Sequence, residues 1–264
     1  MHRHNHDTKP STNIVKVSSG RLNETQITVY NVMMNSVNPY VSVDCVLLGF
    51  DGERLNALVV RQTNAEKGND TGCYKLPGSL INMDEDLDDA AQRVLKQLTG
   101  LVQVKMVQFK AFGGAQRLAN PRDSIWLERY HHLEHHLERI VTIAYLSLLR
   151  IDRKMAKLDS GYEAQWIPID ELPQLAFDHS EIVKEAVQSV KKMTALDPTM
   201  FFDLLPRKFT ATQLRKLMES VTDDKVDIKN FHKKLAKMPY LVLLEEKEEG
   251  VSHRAARFYK FKRK

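Results

Sequence analysis

At 264 residues, 42% of them hydrophobic, the chain is long enough for two ordinary domains with real cores. Two cysteines, Cys45 and Cys73, exclude a disulfide framework and, with no signal-peptide pattern at the start, imply a reducing cytoplasm; no apolar run approaches the roughly 20 residues of a membrane span, so a membrane partner is excluded. The net charge of +5 is uneven, because residues 201–264 carry 16 Lys and Arg against 9 Asp and Glu, which places the basic character in the C-terminal quarter.

Residues 1–38 begin MHRHNHDTKPSTN, a polar stretch that predicts a disordered or loosely ordered tail, with His2, His4 and His6 solvated rather than holding a metal. Tyr40 to Arg61 holds two β-rich apolar runs broken by Gly49-Phe50-Asp51-Gly52, which reads as a hairpin. Leu87, Ala90, Ala91, Val94, Leu95 and Leu98 then recur at helical spacing, with Asp84, Glu85 and Asp86 at the positive end of the dipole and Gly100 past the exit. Strand-like runs follow at Val102 to Phe112 and Ile140 to Ile151.

Between those runs, residues 113–139 form a connection so long that a lid, a dimer element or partial disorder is expected. Its YHHLEHHLER segment sets His131/His135 and His132/His136 at i, i+4, a spacing that zinc uses. The two pairs point to different faces and no Glu completes an HExxH pattern, so an exposed helical insertion is expected instead. Trp166-Ile167-Pro168 reads as an edge element, and Ile169 to Leu172 as the entry to a helix running to Met193. Mixed strands between two helices imply an α/β/α sandwich over residues 39–197.

A second unit spans residues 198–264. Thr210 reads as the N-cap of a helix carrying Leu214 and Leu217, and Asp227 as the cap of IKNFHKKLAKM, with Ile228, Phe231, Leu235 and Met238 as its apolar stripe. Two strands, YLVLLEE and ARFYKFKRK, follow around Gly250, giving the order of a winged helix-turn-helix, so the fold class overall is α+β. The second helix interleaves Lys229, Asn230, His232, Lys233, Lys234 and Lys237 with its stripe, and the wing adds His253, Arg254 and Arg257 before Lys260, Lys262, Arg263 and Lys264. A charged helical face is usually only solvated; here helix order, local charge and wing coincide, so double-stranded DNA is the expected partner, with Asn reading adenine and Lys reaching guanine or phosphate.

Residues 78–101, GSLINMDEDLDDAAQRVLKQLTGL, resemble the Nudix signature of loop, amphipathic helix and Gly-hydrophobe exit. An active Nudix helix reads Arg-Glu-x-x-Glu-Glu, and side chains at i, i+3 and i+4 share one face on which Mg²⁺ is held. The same register here gives Arg93, Val94, Gln97 and Leu98, and Ser79 stands for the second loop Gly, so no metal, no cofactor and no catalysis are expected. The resemblance implies that Arg93 anchors the loop through a carboxylate such as Glu85. The acidic run Asp84, Glu85, Asp86, Asp88 and Asp89 reads as helix capping.

With LPGS at 76–79, AFG at 111–113, RIVTIAYLSLL at 139–149 and FDHSE at 177–181, residues 40–264 resemble the Nudix-related transcription regulators, and within them the sugar-responsive, arabinose-type branch with its degenerate box. That resemblance implies a bacterial homodimer on a palindromic operator and a small sugar or sugar-phosphate effector. Lys75, Arg117 and Arg139 are candidate effector contacts; Asp178 and His179 are too, although a capping Asp beside a hydrogen-bonded His explains that pair equally well. Two alternatives remain: a Nudix hydrolase acting on ADP-ribose or a related nucleoside diphosphate derivative, and a DNA-binding protein whose first domain is only a dimerisation scaffold.

Overall fold

Strand β1 (Val37–Phe50) is apolar on both faces because it lies in the middle of a covered sheet. In this computed structural model, which describes residues 37–62, 73–127, 139–151, 162–250, 252 and 255–262, seven strands form that sheet. They are β1, β2 (Leu55–Gln62), β3 (Tyr74–Lys75), β4 (Gly78–Asn82), β5 (Val107–Phe112), β6 (Val141–Arg150) and β7 (Tyr162–Pro168). The main path is β3-β2-β1-β6-β5, with β4 on β1 and β7 on β2. Strand β6 runs parallel to β1 from Val41↔Val141 to Phe50↔Arg150, as its unbroken apolar run predicts.

The two-residue period of β1 sorts its side chains cleanly. Val43, Cys45 and Leu47 face helix α1 (Leu87–Thr99) and its Ala90, Ala91, Val94, Leu95 and Leu98; Val46 and Leu48 join a second core with Ile182, Val183, Ala186 and Val190 of helix α3 (His179–Leu196). Helix α2 (Ser124–Leu127) lies between the two in the chain. Asp86 accepts the Leu87 N–H at the start of α1, and Gly100 closes its end at φ +72°, both as expected.

The hairpin between β1 and β2 turns at residues 51–54, two residues later than the sequence implies. Asp51 accepts the backbone N–H groups of Glu53 and Arg54, and Gly52 takes φ +104°. Gly49 is a strand residue whose Cβ would come within 2.6 Å of Ile151, so it serves packing rather than the turn. Strand β5 starts only at Val107, because Leu101 and Val104 are drawn under α1 instead of into the ladder. The helix expected from Ile169 begins at His179: residues 169–171 make one tight 3-10 turn, and the chain is then held by Asp123 and Ser180 through the N–H groups of Phe177 and Leu175.

The core that α3 covers continues without a break into the second domain through Phe201, Leu204, Leu205, Phe209, Leu214, Leu217, Phe231 and Leu235. That domain orders β8 (Phe209–Thr210), α4 (Ala211–Thr222), α5 (Ile228–Leu235), β9 (Leu241–Lys247) and β10 (Arg257–Phe261), with a β8-β10-β9 sheet. Thr210 and Gln213 form a reciprocal capping box on α4. Helix α5, capped by Asp227, is shorter than its pattern predicts: Lys237 and Met238 lie beyond its end, and Ile228 is 57% exposed because it overhangs the core at the first turn. Among the described residues no helix is long and apolar enough to cross a membrane.

Candidate functional site

A single carboxylate in an apolar strand organises a buried polar cluster. Asp44, 3% exposed on β1, faces His179 Nε2 and Arg117 Nη2, each at 3.4 Å. Arg117 reaches it from the 113–139 insertion, and also donates to Asp178 at 3.0 Å and to the Ile140 carbonyl at 3.3 Å. His179 Nδ1 accepts the Leu76 N–H at 2.9 Å, which turns Nε2 towards Asp44. Burial opposes ionisation of Asp44, but His179, Arg117 and Lys75 together outweigh it and hold the carboxyl well below the usual carboxylate range. Gly78 is required above it, since a Cβ there would lie 1.8 Å from Asp44 Oδ1.

This cluster floors a cleft of about 560 Å³, open mouth included. Its walls come from Trp126, Leu118 and Leu127 of the insertion, Tyr162 of β7, Leu98 of α1 and Phe177. Trp126 stacks on Tyr162 with 14° between the ring planes, and Lys75, which donates to the Gly78 carbonyl, lies 5.2 Å from the Trp126 ring centroid. Phe177 adopts φ +58°, fixed by the bond from its N–H to Asp123 Oδ2 at 2.7 Å. Burial pushes the Asp123 carboxyl up, and the Phe177 N–H and His179 counter it only in part.

Of the residues singled out from the sequence, Lys75, Arg117, Asp178 and His179 therefore meet in one place, and Ser79 lines it. Arg139 does not: it is exposed and donates to the Gly113 carbonyl, outside the cleft. Asp44, Trp126, Tyr162 and Phe177 were not anticipated. Asp44 left a legible trace, a lone acid inside YVSVDCVLL, which a buried strand tolerates only with partners. The described part of the insertion forms a cleft wall; His131, His132, His135 and His136 lie outside the described residues, as do residues 1–36.

The box helix presents no ligands that suit the magnesium of the Nudix fold. Val94 is 0% exposed within the α1 core and Leu98 is 5% exposed, while Gln97 accepts from Arg93. Glu85 is taken up by Arg93 Nε at 2.7 Å and by the Asn82 N–H at 2.7 Å, and the hydrogen bonds from Arg93 hold its carboxyl below the usual range. Arg93 also reaches the Leu80 carbonyl, so it anchors the loop. Among the described residues no three His, Cys, Asp or Glu side chains gather as metal ligands, and these box residues do not fit the ion.

In the C-terminal domain, Lys229, Asn230, His232, Lys233 and Lys234 are exposed on α5, while Lys237 follows its end. Arg257 pairs with Glu245 at 3.2 Å, and His253 and Arg254 lie outside the described residues.

Comparison with known proteins matches the same division. The NUDIX domain family matches residues 38–186 and the NrtR DNA-binding winged helix domain matches residues 201–261. The chain is similar in fold to Shewanella oneidensis NrtR solved with a 27mer DNA, at 23% identity and a TM-score of 0.59, covering 84% of this chain and 93% of that one. A MutT/nudix family protein from Enterococcus faecalis is similar at 21% identity and a TM-score of 0.57, covering 91% and 94%. The ADP-ribose pyrophosphatase of Methanocaldococcus jannaschii is 26% identical over 149 residues, 56% of this chain and 73% of that protein. The chain belongs to the NUDIX family, and it joins its NUDIX domain to a C-terminal segment that matches the NrtR DNA-binding winged helix domain.

Proposed function

We propose that the NUDIX domain of this regulator recognises an uncharged sugar-sized effector without hydrolysing it, and that occupancy of the cleft resets the winged helix on its operator. The observation that carries the reading is the box helix: of the three positions that need carboxylates, 94 is sealed in apolar packing and 98 places a leucine at the edge of the cleft. The charge of the cleft supports the choice of ligand. The Asp44 and Asp178 carboxylates offset the Lys75 and Arg117 cations, and Arg117 is already bonded to both acids, which leaves little positive charge to pair with a phosphate. The stacked Trp126 and Tyr162 give an apolar wall for the face of a pyranose or furanose ring, and Lys75 and Ser79 give polar contacts at the rim.

Helix α3 supports the coupling. It starts at His179 in the cleft and runs 18 residues, about 27 Å at 1.5 Å per residue, to the turn at Pro198–Asp203. On the way it packs against α4, and Lys191 donates to the Thr222 carbonyl at the end of that helix. An effector that favours one position of Asp178 and His179 therefore shifts α3 and the winged domain as packed bodies, provided it binds one arrangement better than the other. A coupling of about 1–3 kcal/mol changes operator occupancy by roughly 5- to 150-fold. On a two-fold operator the regulator acts as a homodimer, with α5 presented to the major groove.

The second reading is an effector or substrate of the ADP-ribose type, favoured by the relative named as an ADP-ribose pyrophosphatase. Calorimetric titration of the full chain with neutral pentoses and hexoses, their phosphates and ADP-ribose separates the readings, run beside fluorescence anisotropy on DNA fragments selected from the genome. A neutral sugar should bind and alter DNA affinity, and Trp126→Ala should abolish both responses while basal DNA binding persists. Binding of ADP-ribose alone would replace the neutral effector with a nucleotide sugar, and saturation by none of them would reduce the domain to a scaffold. In the same assay Lys233→Ala should lower the salt slope by about 0.9, one lost phosphate contact.

A further inference from the structure

The NUDIX sheet and the winged domain enclose a second and larger hollow, about 2780 Å³ with its open mouth included. It is far larger than the sugar-sized cleft, and its chemistry is different. Its rim carries Lys105 and Arg150 from the first domain and Arg207, Lys208, Lys260 and Lys262 from the second, against the single acid Asp203. Lys208 is paired with Glu246; Lys105, Arg207, Lys260 and Lys262 have no carboxylate partner among the described residues. Its floor is apolar, with half-buried Leu148, Phe202 and Phe261. A bare phosphate backbone would match the rim and waste the floor. The complement of such a groove is a polypeptide segment with acids around an apolar tip.

The same chain presents one. The box turn ends in Met83, 65% exposed, flanked by exposed Asp84, Asp86 and Asp89. Its shape is fixed from within, because Glu85 accepts the Asn82 N–H and is itself gripped by Arg93, which also holds the Leu80 carbonyl. A pinned turn loses little conformational freedom on docking. The Arg93–Glu85 pair is retained although its neighbours no longer suit a metal, which leaves maintenance of this protruding turn as its visible effect.

We infer that the groove between the domains seats the box turn of a second copy of this chain, Met83 on the apolar floor and Asp84 and Asp89 against Lys105 and Arg207. In a two-fold pair this contact occurs twice, turn to groove and groove to turn. The inference is independent of what the cleft binds.

The test is mutual charge exchange in the full chain, followed by mass photometry across a dilution series. A groove variant, Lys105→Glu with Arg207→Glu, and a turn variant, Asp84→Lys with Asp89→Lys, should each weaken self-association by about a hundredfold, since like charges then face each other. Mixed in equal amounts they should recover the dimer, because one contact is then native and the other has both charges reversed. That recovery also shows that both variants fold. A wild-type chain that stays monomeric, variants that associate as the wild type does, or a mixture that fails to recover would overturn the inference. A groove variant that loses DNA affinity with its dimerisation unchanged would assign the rim to the DNA backbone and overturn it equally.

Discussion

Val94→Glu, the substitution that puts a carboxylate back where the Nudix helix carries one, is expected to destabilise the NUDIX domain by about 4 kcal/mol and to restore no hydrolysis. Val94 has no exposed surface and packs within the apolar layer formed by α1, Val43, Cys45 and Tyr145. A carboxylate there loses its hydration and meets no cation, because the nearest one on the helix, Arg93, is already bound to Glu85. Urea unfolding of the variant against the wild type measures the cost. Leu98→Glu serves as the comparison, since Leu98 borders the cleft and a charge there can reach its opening. A Val94→Glu protein of wild-type stability that hydrolyses nucleoside diphosphates with Mg²⁺ would show that the metal site was merely vacant of ligands rather than closed.

Arg117→Ala should cost about 3–5 kcal/mol, the range for removing one member of a buried ion pair. Its guanidinium bonds Asp44, Asp178 and the Ile140 carbonyl at once, and without it Asp44 stays buried with only the His179 proton and Lys75 for support. The loss should depend on pH in a defined direction. In the wild type the Asp44 carboxyl is depressed, so its stabilisation is complete above the unfolded carboxylate value of about 4 and is lost as pH falls through the lower folded value. In the variant burial meets less opposition and the carboxyl rises, so the gap between the two proteins should narrow as pH falls and Asp44 takes up a proton. Asp44→Asn in the Arg117→Ala background should recover part of the loss at neutral pH. A penalty below about 1 kcal/mol, flat with pH, would place Arg117 on the surface rather than in a buried network.

Local rules made much of this molecule legible before its structure. Asp86 and Gly100 bracket α1, Thr210 and Asp227 cap α4 and α5, and the run from Val141 to Arg150 is a central strand, each because the signal lies within a few residues of its effect. What stayed hidden depends on distant partners. The start of α3 is set by Asp123 and Ser180 holding residues 175–177, not by the spacing after Ile169. Lys75, Arg117, Asp178 and His179 were recognisable as polar groups near a loop, but their convergence on Asp44 required the pairing of β1 with β6 and the return of the insertion across the sheet. Arg139 carried the same kind of signal and lies elsewhere, which shows that a cation beside a motif does not by itself locate a pocket. Substitution of the box carboxylates was plain; that Val94 is sealed into the core became visible only with the helix in place.

The most direct measurement of whether this NUDIX domain recognises rather than cleaves is incubation of the full chain with ADP-ribose and Mg²⁺, with release of AMP followed by chromatography. No AMP above the protein-free rate is the predicted result. Release that rises in proportion to protein and disappears in Glu85→Gln would contradict it and return the domain to the hydrolases.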